Sequence, residues 1–500
     1  SGLEIELETL KRAPRQLAVL TLLRSHTQAL SFASIESQLP NSRSSLIALF
    51  EKGLLKKSKQ AITEVSPEVD KSEINLNSEQ KQASKQILES LGKHQVCLLD
   101  GVTGSGKTEV YIELCKMVLA QGKQVLILSP EIGLTPQLID RIRSRLNARI
   151  AILHSGVSEG ERLRAWLEAQ SGKADIIIGT RSAIWTPLKK PALFIVDEEH
   201  DLSYKQQDGL KYSARDVCIM RGKLSACPVV LGSATPSMES LHNVDIDKYK
   251  LITLNKRAGT SIEPQVQIID MRNRPMQGAL SQDLLKAIEK ELKADRQVML
   301  FLNRRGYSPT IMCHMCGWTA DCERCDMHMT YHKKRNTLSC HHCNRQRSLD
   351  IVCPDCEANQ LLEIGHGTER LEETLQKSFT SARILRIDRD STRLKGSMES
   401  MLKLIKGNQV DILVGTQMLA KGHHFPNLTL VGIVDADGGL CSSDFRASER
   451  MAQLFVQVSG RAGREESVGR VMVQTHFPDH PLLNSLIKNG YREFSKELLI

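Results

Sequence analysis

The sequence predicts an α/β protein with two parallel-sheet lobes, a small helical domain before them and a cysteine-rich insertion in the second lobe. The 500 residues contain two series in which short apolar runs alternate with helical stretches, and small or polar residues follow the apolar runs. Strands that alternate with helices form parallel sheets through right-handed crossovers. The functional loops of such sheets lie beyond the carboxyl ends of the strands.

The composition narrows the choice of partner and compartment. The chain carries a formal net charge of +9, which favours an anionic partner. It has no apolar run of about 18 residues, so we expect no membrane span. We expect no signal peptide and a protein of the reducing cytoplasm. Because the chain begins with Ser1 rather than Met, we expect a fragment of a longer protein.

Residues 1–66 are predicted to form a winged-helix domain. Pro14 opens an apolar-periodic helix, a second helix surrounds Ile35, and a third presents Leu46 and Leu49 on one face before a short hairpin. Basic side chains in this domain are expected to contact duplex phosphates, namely Arg43, Lys52, Lys56, Lys57 and Lys59. A three-helix bundle used for protein contacts is the alternative.

One loop predicts phosphate binding. It has the spacing G-x-x-x-x-G-K-[ST], follows the apolar run 96–99 and precedes the helical pattern 109–119. Glycines leave the backbone open, so that its N–H groups point inward at phosphate. Lys107 is expected to reach the β- and γ-phosphates of ATP, and the Thr108 hydroxyl to bind Mg²⁺. The residues expected to surround the phosphates are Gly101, Val102, Thr103, Gly104, Ser105, Gly106, Lys107 and Thr108.

An acidic run supplies the second catalytic element. Asp197 follows the apolar run 193–196, and we expect it to hold Mg²⁺ through water while Glu198 polarises the attacking water. Residues 197–200 resemble the DExH box of superfamily 2 helicases. In such ATPases a Gln just upstream of the phosphate loop reads the adenine edge, which implies this role for Gln80. An ordinary capped helix is the alternative there.

The resemblance to superfamily 2 extends into the second lobe. Residues 232–237 resemble the motif that links the ATP state to the grip on DNA, and residues 457–464 resemble the arginine-finger motif. The resemblance implies that Arg461 and Arg464 face the γ-phosphate when the lobes close, and guanidinium groups stabilise the charge that develops there. Gly422, at a strand end, and Gln457 are expected to lie beside the nucleotide.

A loop after the acidic run predicts contact with single-stranded DNA. It interleaves tyrosines with basic residues in a chain whose aromatic content is only 4%. Aromatic rings stack on unpaired bases while cations meet phosphates. The residues expected to contact DNA here are Tyr204, Lys205, Lys211, Tyr212 and Arg215. A merely structural loop is the alternative.

The cysteines of residues 313–356 predict two zinc ions. They form four Cys-x-x-Cys pairs, and two such pairs complete a closed tetrahedral site. The spacing leaves open which pairs combine. The expected ligands are Cys313, Cys316, Cys322, Cys325, Cys340, Cys343, Cys353 and Cys356.

The ensemble resembles the primosomal replication-restart DNA helicases of bacteria, the PriA family, over nearly the whole chain. The specific parts are segments 98–111, 204–215 and 301–307 and the eight cysteines. The resemblance implies two RecA-like helicase lobes and a nucleoid-associated 3′→5′ DNA helicase that starts primosome assembly at abandoned forks. Its implied partners are single-stranded and forked DNA, other primosome proteins and single-stranded-DNA-binding protein.

The resemblance also implies a zinc pairing and a domain layout. One ion is expected at the outer pairs, which begin at Cys313 and Cys353, and the other at the inner pairs, which begin at Cys322 and Cys340. By the same resemblance, His424 stands where many relatives have Asp, and we expect the family's N-terminal domain to lie outside this sequence. The expected domains are a winged helix at 1–66, lobe 1 at 72–255, lobe 2 at 262–310 and 359–482, the zinc insertion at 311–358, and the start of a truncated C-terminal domain at 483–500.

Two other functions remain open. One is a DNA-stimulated ATPase that acts as a switch or mainly as a zinc-bearing assembly platform. The other is an RNA helicase, because the core motifs alone do not distinguish the nucleic acid.

Overall fold

The chain divides into two compact units, Ser1–Glu68 and Val69–Ile500. The computed structural model describes residues 13–24, 35–36, 39–40, 42–55, 76–130, 135–257, 263–302, 310–325, 327–332, 335–350, 352–363, 368–388, 391, 397–416, 419, 425, 427–442, 444–463 and 468–499. No helix in these ranges is long and apolar enough to span a membrane.

The first unit contains helices α1 (Pro14–Arg24) and α2 (Arg43–Glu51). Val19, Leu20 and Leu49 are buried together, as the apolar periodicity of the two helices predicts. Arg43 is exposed at the start of α2. Much of the predicted second helix and the whole wing, with Lys56, Lys57 and Lys59, lie outside the described residues, so the winged helix stays a prediction.

The second unit begins with lobe 1, residues 76–257. Its strands are β1 (Val96–Gly101), β2 (Gln124–Leu128), β3 (Ile150–Leu153), β4 (Ile176–Gly179), β5 (Pro191–Asp197), β6 (Lys205–Gln206), β7 (Tyr212–Ser213), β8 (Val229–Ser233) and β9 (Lys250–Leu254). Its helices are α3 (Ser78–Leu88), α4 (Lys107–Leu119), α5 (Thr135–Arg145), α6 (Glu159–Ser171), α7 (Ala214–Leu224) and α8 (Met238–Asp245). Short 3₁₀ helices occupy Arg181–Trp185 and Leu202–Tyr204.

Seven strands of lobe 1 form one sheet in the order β3-β4-β2-β5-β8-β1-β9, and every pairing in it is parallel. Alternate residues of β1 enter different cores, with Cys97 and Leu99 on one face and Val96 and Leu98 on the other. A strand covered on both faces needs an uninterrupted apolar run, which is why its sequence does not alternate.

Lobe 2 follows, with the zinc insertion inside it. Its strands are β10 (Gln265–Asp270), β11 (Met276–Gln277), β12 (Leu280–Ser281), β13 (Gln297–Phe301), β14 (Ile311–Cys313), β15 (Thr330–His332), β16 (Thr337–Ser339), β17 (Gln346–Ser348), β18 (Leu361–Glu363), β19 (Ile384–Ile387), β20 (Ile412–Gly415), β21 (Leu428–Ile433) and β22 (Arg470–Thr475). Its helices are α9 (Gln282–Lys293), α10 (Thr368–Ser378), α11 (Ser397–Lys406), α12 (Asp437–Leu440), α13 (Ala447–Ser459) and α14 (Pro481–Leu499).

The sheet of lobe 2 has the strand order β10-β22-β21-β13-β20-β19, again with parallel pairings. The insertion contributes a β14–β18 pair and a three-stranded antiparallel sheet, β15-β16-β17. The predicted α/β class with two parallel-sheet lobes and a cysteine-rich insertion is therefore confirmed.

The last helix packs on lobe 2. Helix α14 buries Leu486, Tyr491 and Phe494 in the same apolar core as β13, β21 and β22. The expected start of a C-terminal domain at residues 483–500 stays a prediction.

Candidate nucleotide-binding site and zinc clusters

The phosphate loop joins the end of β1 to the start of α4. Gly104 and Gly106 have φ angles of 81° and 80°, a region that L side chains rarely adopt. A Cβ atom on Gly101 would lie 2.5 Å from Ser105 Oγ, so the turn also requires glycine there. The Lys107 ammonium donates to the Gly101 carbonyl oxygen at 2.9 Å and so curls back across the loop. The backbone is thus fixed in an open loop with its cation beside it.

Gln80 supports the loop from α3. Its Nε2 donates to the Ser105 carbonyl oxygen at 2.9 Å, and its Oε1 accepts from the Asn77 backbone N–H at 2.9 Å. The side chain is only 4% exposed. In this arrangement the amide is used to brace the phosphate loop, and its predicted contact with adenine stays a prediction.

Asp197 lies at the carboxyl end of β5, opposite the loop. Its Oδ1 accepts from the Tyr111 hydroxyl at 3.0 Å, and the Tyr204 hydroxyl donates to its carbonyl oxygen at 2.6 Å. Burial, and then the neighbouring Glu198 carboxylate, raise the pKa of Asp197 to about 7. A desolvated carboxylate of this kind favours a cation as its partner.

The loop and the acidic run fit a phosphate and a hydrated metal ion. Glu198 has a φ angle of 47°, an uncommon conformation for this residue type. Among the described residues, no hydrogen-bond partner reaches the buried atoms Thr103 Oγ1, Ser105 Oγ or Glu198 Oε2. Buried polar atoms are nearly always paired, so these atoms indicate that the site accepts a polar ligand. ATP and Mg²⁺ match the residues present.

Lobe 2 closes against this site. A Cβ atom on Gly460 would lie 2.7 Å from Thr103 Cγ2, so the turn after α13 touches the phosphate loop. The Nε2 atoms of Gln457 and His200 are 2.7 Å apart, and His200 Nδ1 lies 2.7 Å from Ser233 Oγ. Arg461 is 8% exposed within the same turn. Arg464 and Gly422 lie outside the described residues.

Glu199 is a buried residue that the sequence analysis did not assign. Its carboxylate accepts hydrogen bonds from the Ser237 backbone N–H at 2.7 Å, from Ser240 Oγ at 2.8 Å and from Arg215 Nη1 at 3.0 Å. Arg215 also donates to Ser237 Oγ at 2.7 Å. The acidic run is therefore tied to the 232–237 segment through its third residue. In the sequence, Glu199 is marked only by its place directly after Asp197 and Glu198 at the end of a buried strand.

Two residues of the DNA-contact prediction have partners within lobe 1. Arg215 donates to Glu199 and Ser237, and Tyr204 is 1% exposed with its hydroxyl on the Asp197 carbonyl oxygen. In this arrangement both side chains brace the acidic run, and their contact with DNA stays a prediction.

The rest of the loop is accessible. It forms a hairpin of β6 and β7, in which Lys205 and Lys211 are exposed. Tyr212 packs edge-on against Trp185, with ring centroids 5.1 Å apart, and Trp185 is 47% exposed. The sequence analysis missed Trp185 because it lies outside the tyrosine-rich segment.

The eight insertion cysteines gather into two clusters. Cys313, Cys316, Cys353 and Cys356 form one, and Cys322, Cys325, Cys340 and Cys343 form the other. Nearest Sγ atoms are 3.6 and 3.7 Å apart in the first cluster and 3.5 and 3.4 Å apart in the second. A tetrahedral zinc with bonds of about 2.3 Å places its sulfurs about 3.8 Å apart. The clusters fit two Zn²⁺ ions in the nested pairing that the resemblance implies.

Histidines fasten the insertion to lobe 2. His314, between two cysteine ligands, has its Nδ1 atom 3.1 Å from His476 Nε2 and its Nε2 atom 2.9 Å from the Arg274 carbonyl oxygen. His476 Nδ1 in turn lies 2.7 Å from Asp437 Oδ2. This buried chain links the outer zinc cluster to the ends of β21 and β22, so the insertion is held at a defined place on the lobe.

Two known families match parts of the chain, one in lobe 1 and one in the insertion. Residues 77–244 match the DEAD/DEAH box helicase family, and residues 322–347 match the PriA DNA helicase Cys-rich region domain. A solved structure of RecG bound to a three-way DNA junction has a TM-score of 0.51 and 17% identity, and the match covers 99% of this chain and 53% of that one. This likeness bears on the fold alone.

Full-length relatives are more similar. The chain is 50% identical to the replication restart protein PriA of Haemophilus influenzae over 426 residues, which cover 85% of this chain and 58% of that protein. It is 40% identical to the PriA protein of Bacillus subtilis over 496 residues, which cover 97% and 62% of the two chains. The chain thus spans about three fifths of the length of these relatives.

A phosphate loop and an acidic run in one parallel-sheet lobe, closed by a second such lobe, are the core of a helicase, and the match to the DEAD/DEAH box family assigns this core to superfamily 2. The cysteine clusters and the sequence identity narrow this further. The chain belongs to the PriA family of replication restart proteins.

Proposed function

We propose that this chain is the motor core of an ATP-dependent DNA helicase that moves 3′ to 5′ on single-stranded DNA and acts at abandoned replication forks. The observation that carries the proposal is the contact between Thr103 in the phosphate loop and Gly460 in the second lobe. A site that only bound nucleotide would need one lobe. A site completed by two lobes turns nucleotide binding and hydrolysis into lobe movement.

The chemistry is phosphoryl transfer to water. Thr108 and Asp197 would hold Mg²⁺, which would supply positive charge to offset the negative charge that develops on the phosphates. The Lys107 ammonium, which donates to the Gly101 carbonyl oxygen in the structure, would donate to phosphate oxygens instead. Glu198 Oε2, which has no hydrogen-bond partner among the described residues, would accept a hydrogen bond from the attacking water. Arg461 faces the γ-phosphate from lobe 2, and Arg464 has the same role on the evidence of the sequence motif. The sequence pattern assigns Gln457 and Gly422 to the nucleotide-binding site.

DNA lies on the exposed hairpin and the lobe surfaces. Lys205 and Lys211 meet backbone phosphates, and Tyr212 with Trp185 offers aromatic surface to an unpaired base. Arg43, Lys56 and Lys57 of the first unit contact duplex DNA. Each cysteine cluster would hold its zinc ion with four thiolates, which leaves no open position, so both ions would be structural. In the cell the full-length protein is nucleoid-associated in the cytoplasm and meets primosome proteins and single-stranded-DNA-binding protein.

ATP hydrolysis by the chain tests this function. Turnover is measured in parallel with single-stranded DNA, forked DNA and RNA, together with strand separation of a forked duplex. Lys107→Ala is expected to abolish ATP turnover and strand separation while DNA binding persists, and Lys116→Ala, on the exposed side of α4, serves as the matched control. Strand separation by Lys107→Ala would reject the motor in favour of an assembly platform. Stronger stimulation by RNA than by DNA would reject DNA as the substrate.

A further inference from the structure

Helix α14 changes direction at one residue. Gly490 has φ 78° and ψ 179°, which only glycine adopts readily, and the helical path resumes after it. Leu483 and Leu486 before the break, and Tyr491 and Phe494 after it, are all buried. The break therefore leaves the helix packed on lobe 2 while it turns the residues at 491–492 towards lobe 1.

Arg492 pairs with a carboxylate of lobe 1. Its Nε and Nη2 atoms donate to Asp100 Oδ2 at 2.8 and 2.6 Å. Asp100 is the residue immediately before the phosphate loop, and it is only 8% exposed. Burial raises its pKa, while the Arg492 guanidinium works in the opposite direction. Among the described residues, both hydrogen bonds to this carboxylate come from Arg492, so separation of the lobes would leave a desolvated charge without its partner.

Tyr491, the residue before Arg492, forms a hydrogen bond with a second segment of lobe 1. The Tyr491 hydroxyl donates to the Pro236 carbonyl oxygen at 2.7 Å and accepts from Gln453 Nε2 at 3.3 Å. Pro236 lies in the 232–237 segment that Glu199 joins to the acidic run. Two consecutive residues of α14 thus contact both sides of the candidate nucleotide site, the phosphate-loop strand and the segment behind the acidic run.

The geometry points to Arg492 as a positioning residue that stabilises the closed pair of lobes by holding Asp100 at the base of the phosphate loop. The pair forms across the lobes, so it stabilises closure and not either lobe alone. Because closure brings Arg461 to the nucleotide, the pair raises turnover without contacting ATP. This inference rests on the proposed motor function.

Lobe closure and turnover test the inference separately. Closure is measured as the distance between fluorophores on exposed positions of the two lobes, before and after addition of AMP-PNP with Mg²⁺. We expect Arg492→Ala to shift the equilibrium between open and closed lobes towards the open state. DNA-stimulated ATP turnover should fall by about tenfold, within the usual range for coupling between sites. Arg492→Lys should restore part of both. Lys496→Ala is the matched control, because it removes a cation of the same helix that pairs with Glu493 of that helix.

A double-mutant cycle separates this role from general stability. Asp100→Asn should lower lobe closure and ATP turnover much less in the Arg492→Ala variant than in the wild type, because the two changes remove the same interaction. The inference would be overturned if Arg492→Ala closed as fully as the wild type. It would also be overturned if Arg492→Ala and Lys496→Ala lost the same amount of ATP turnover. Failure of the proposed function has a different signature, because the wild type itself would then show no stimulation by DNA.

Discussion

The Nε2 atom of His200, which follows the acidic run of lobe 1, lies 2.7 Å from the side-chain Nε2 atom of Gln457 in lobe 2. An amide nitrogen can only donate, so the histidine nitrogen accepts. The imidazole proton then resides on Nδ1, where it is donated to Ser233 Oγ at 2.7 Å. His200 thereby connects the acidic run to Ser233 and to Gln457, and its contact with Gln457 exists only while the lobes are closed.

This contact predicts that Gln457 couples closure to hydrolysis. Gln457→Ala is expected to lower DNA-stimulated ATP turnover by about five- to tenfold, in the usual range for coupling between sites. Adding His200→Ala to this variant should lower ATP turnover little further, because the contact between Gln457 and His200 is already lost. Gln376→Ala, on the exposed side of α10, is the control. Additive losses in the double variant would show that the two residues act independently.

Gly460 provides a steric test of the closed state. A Cβ atom there would lie 2.7 and 2.8 Å from Thr103 Cγ2 and Cβ, so Gly460→Ala should oppose closure and lower ATP turnover by about tenfold. Thr103→Gly in the same chain removes the clashing atoms and should restore part of the turnover. Gly160→Ala is the control, because no atom lies within 4 Å of its added Cβ. Full activity of Gly460→Ala would mean that turnover does not require this contact.

Local patterns explain most of what could be predicted from the sequence. Asp197 and the phosphate loop were predictable because each directly follows a buried strand, and parallel strands bring their carboxyl ends to one edge. The eight cysteines were predictable because zinc needs thiolates at short spacing. The burial of the strands on both faces follows from the same runs of apolar residues.

Long-range packing decided what could not be predicted. The polar residues around Tyr204 in the sequence predict an exposed ring. In the structure the ring is buried, and its hydroxyl donates to the Asp197 carbonyl oxygen. Arg215 reads as a free cation until α7 brings it to Glu199. Asp100 and Arg492 are 392 residues apart in sequence, and neither has a local pattern that marks it. Such pairings appear only when the tertiary structure brings charges together.

The zinc clusters predict two bound ions per chain and a definite pairing. Elemental analysis of the purified protein should find two Zn²⁺. Cys316→Ser with Cys353→Ser should leave one ion, because both are ligands of the outer cluster, whereas Cys316→Ser with Cys340→Ser should leave none. Cys227→Ser, outside both clusters, is the control and should keep two. One remaining ion in both double variants would contradict the nested pairing.

The hairpin of β6 and β7 separates DNA contact from support of the acidic run. Lys205→Ala and Lys211→Ala are expected to weaken binding of single-stranded DNA and to lower its salt dependence by about one counterion each, because both ammonium groups are exposed. Tyr204→Phe should leave DNA affinity unchanged but lower ATP turnover, since it removes the hydrogen bond to the Asp197 carbonyl and keeps the buried ring. Lys223→Ala, exposed at the far end of α7, controls for loss of charge. Binding titrations at several salt concentrations and ATPase assays measure the two effects. A lower DNA affinity for Tyr204→Phe would return that ring to the DNA-contact surface, and unchanged salt dependence in both lysine variants would remove the hairpin from it.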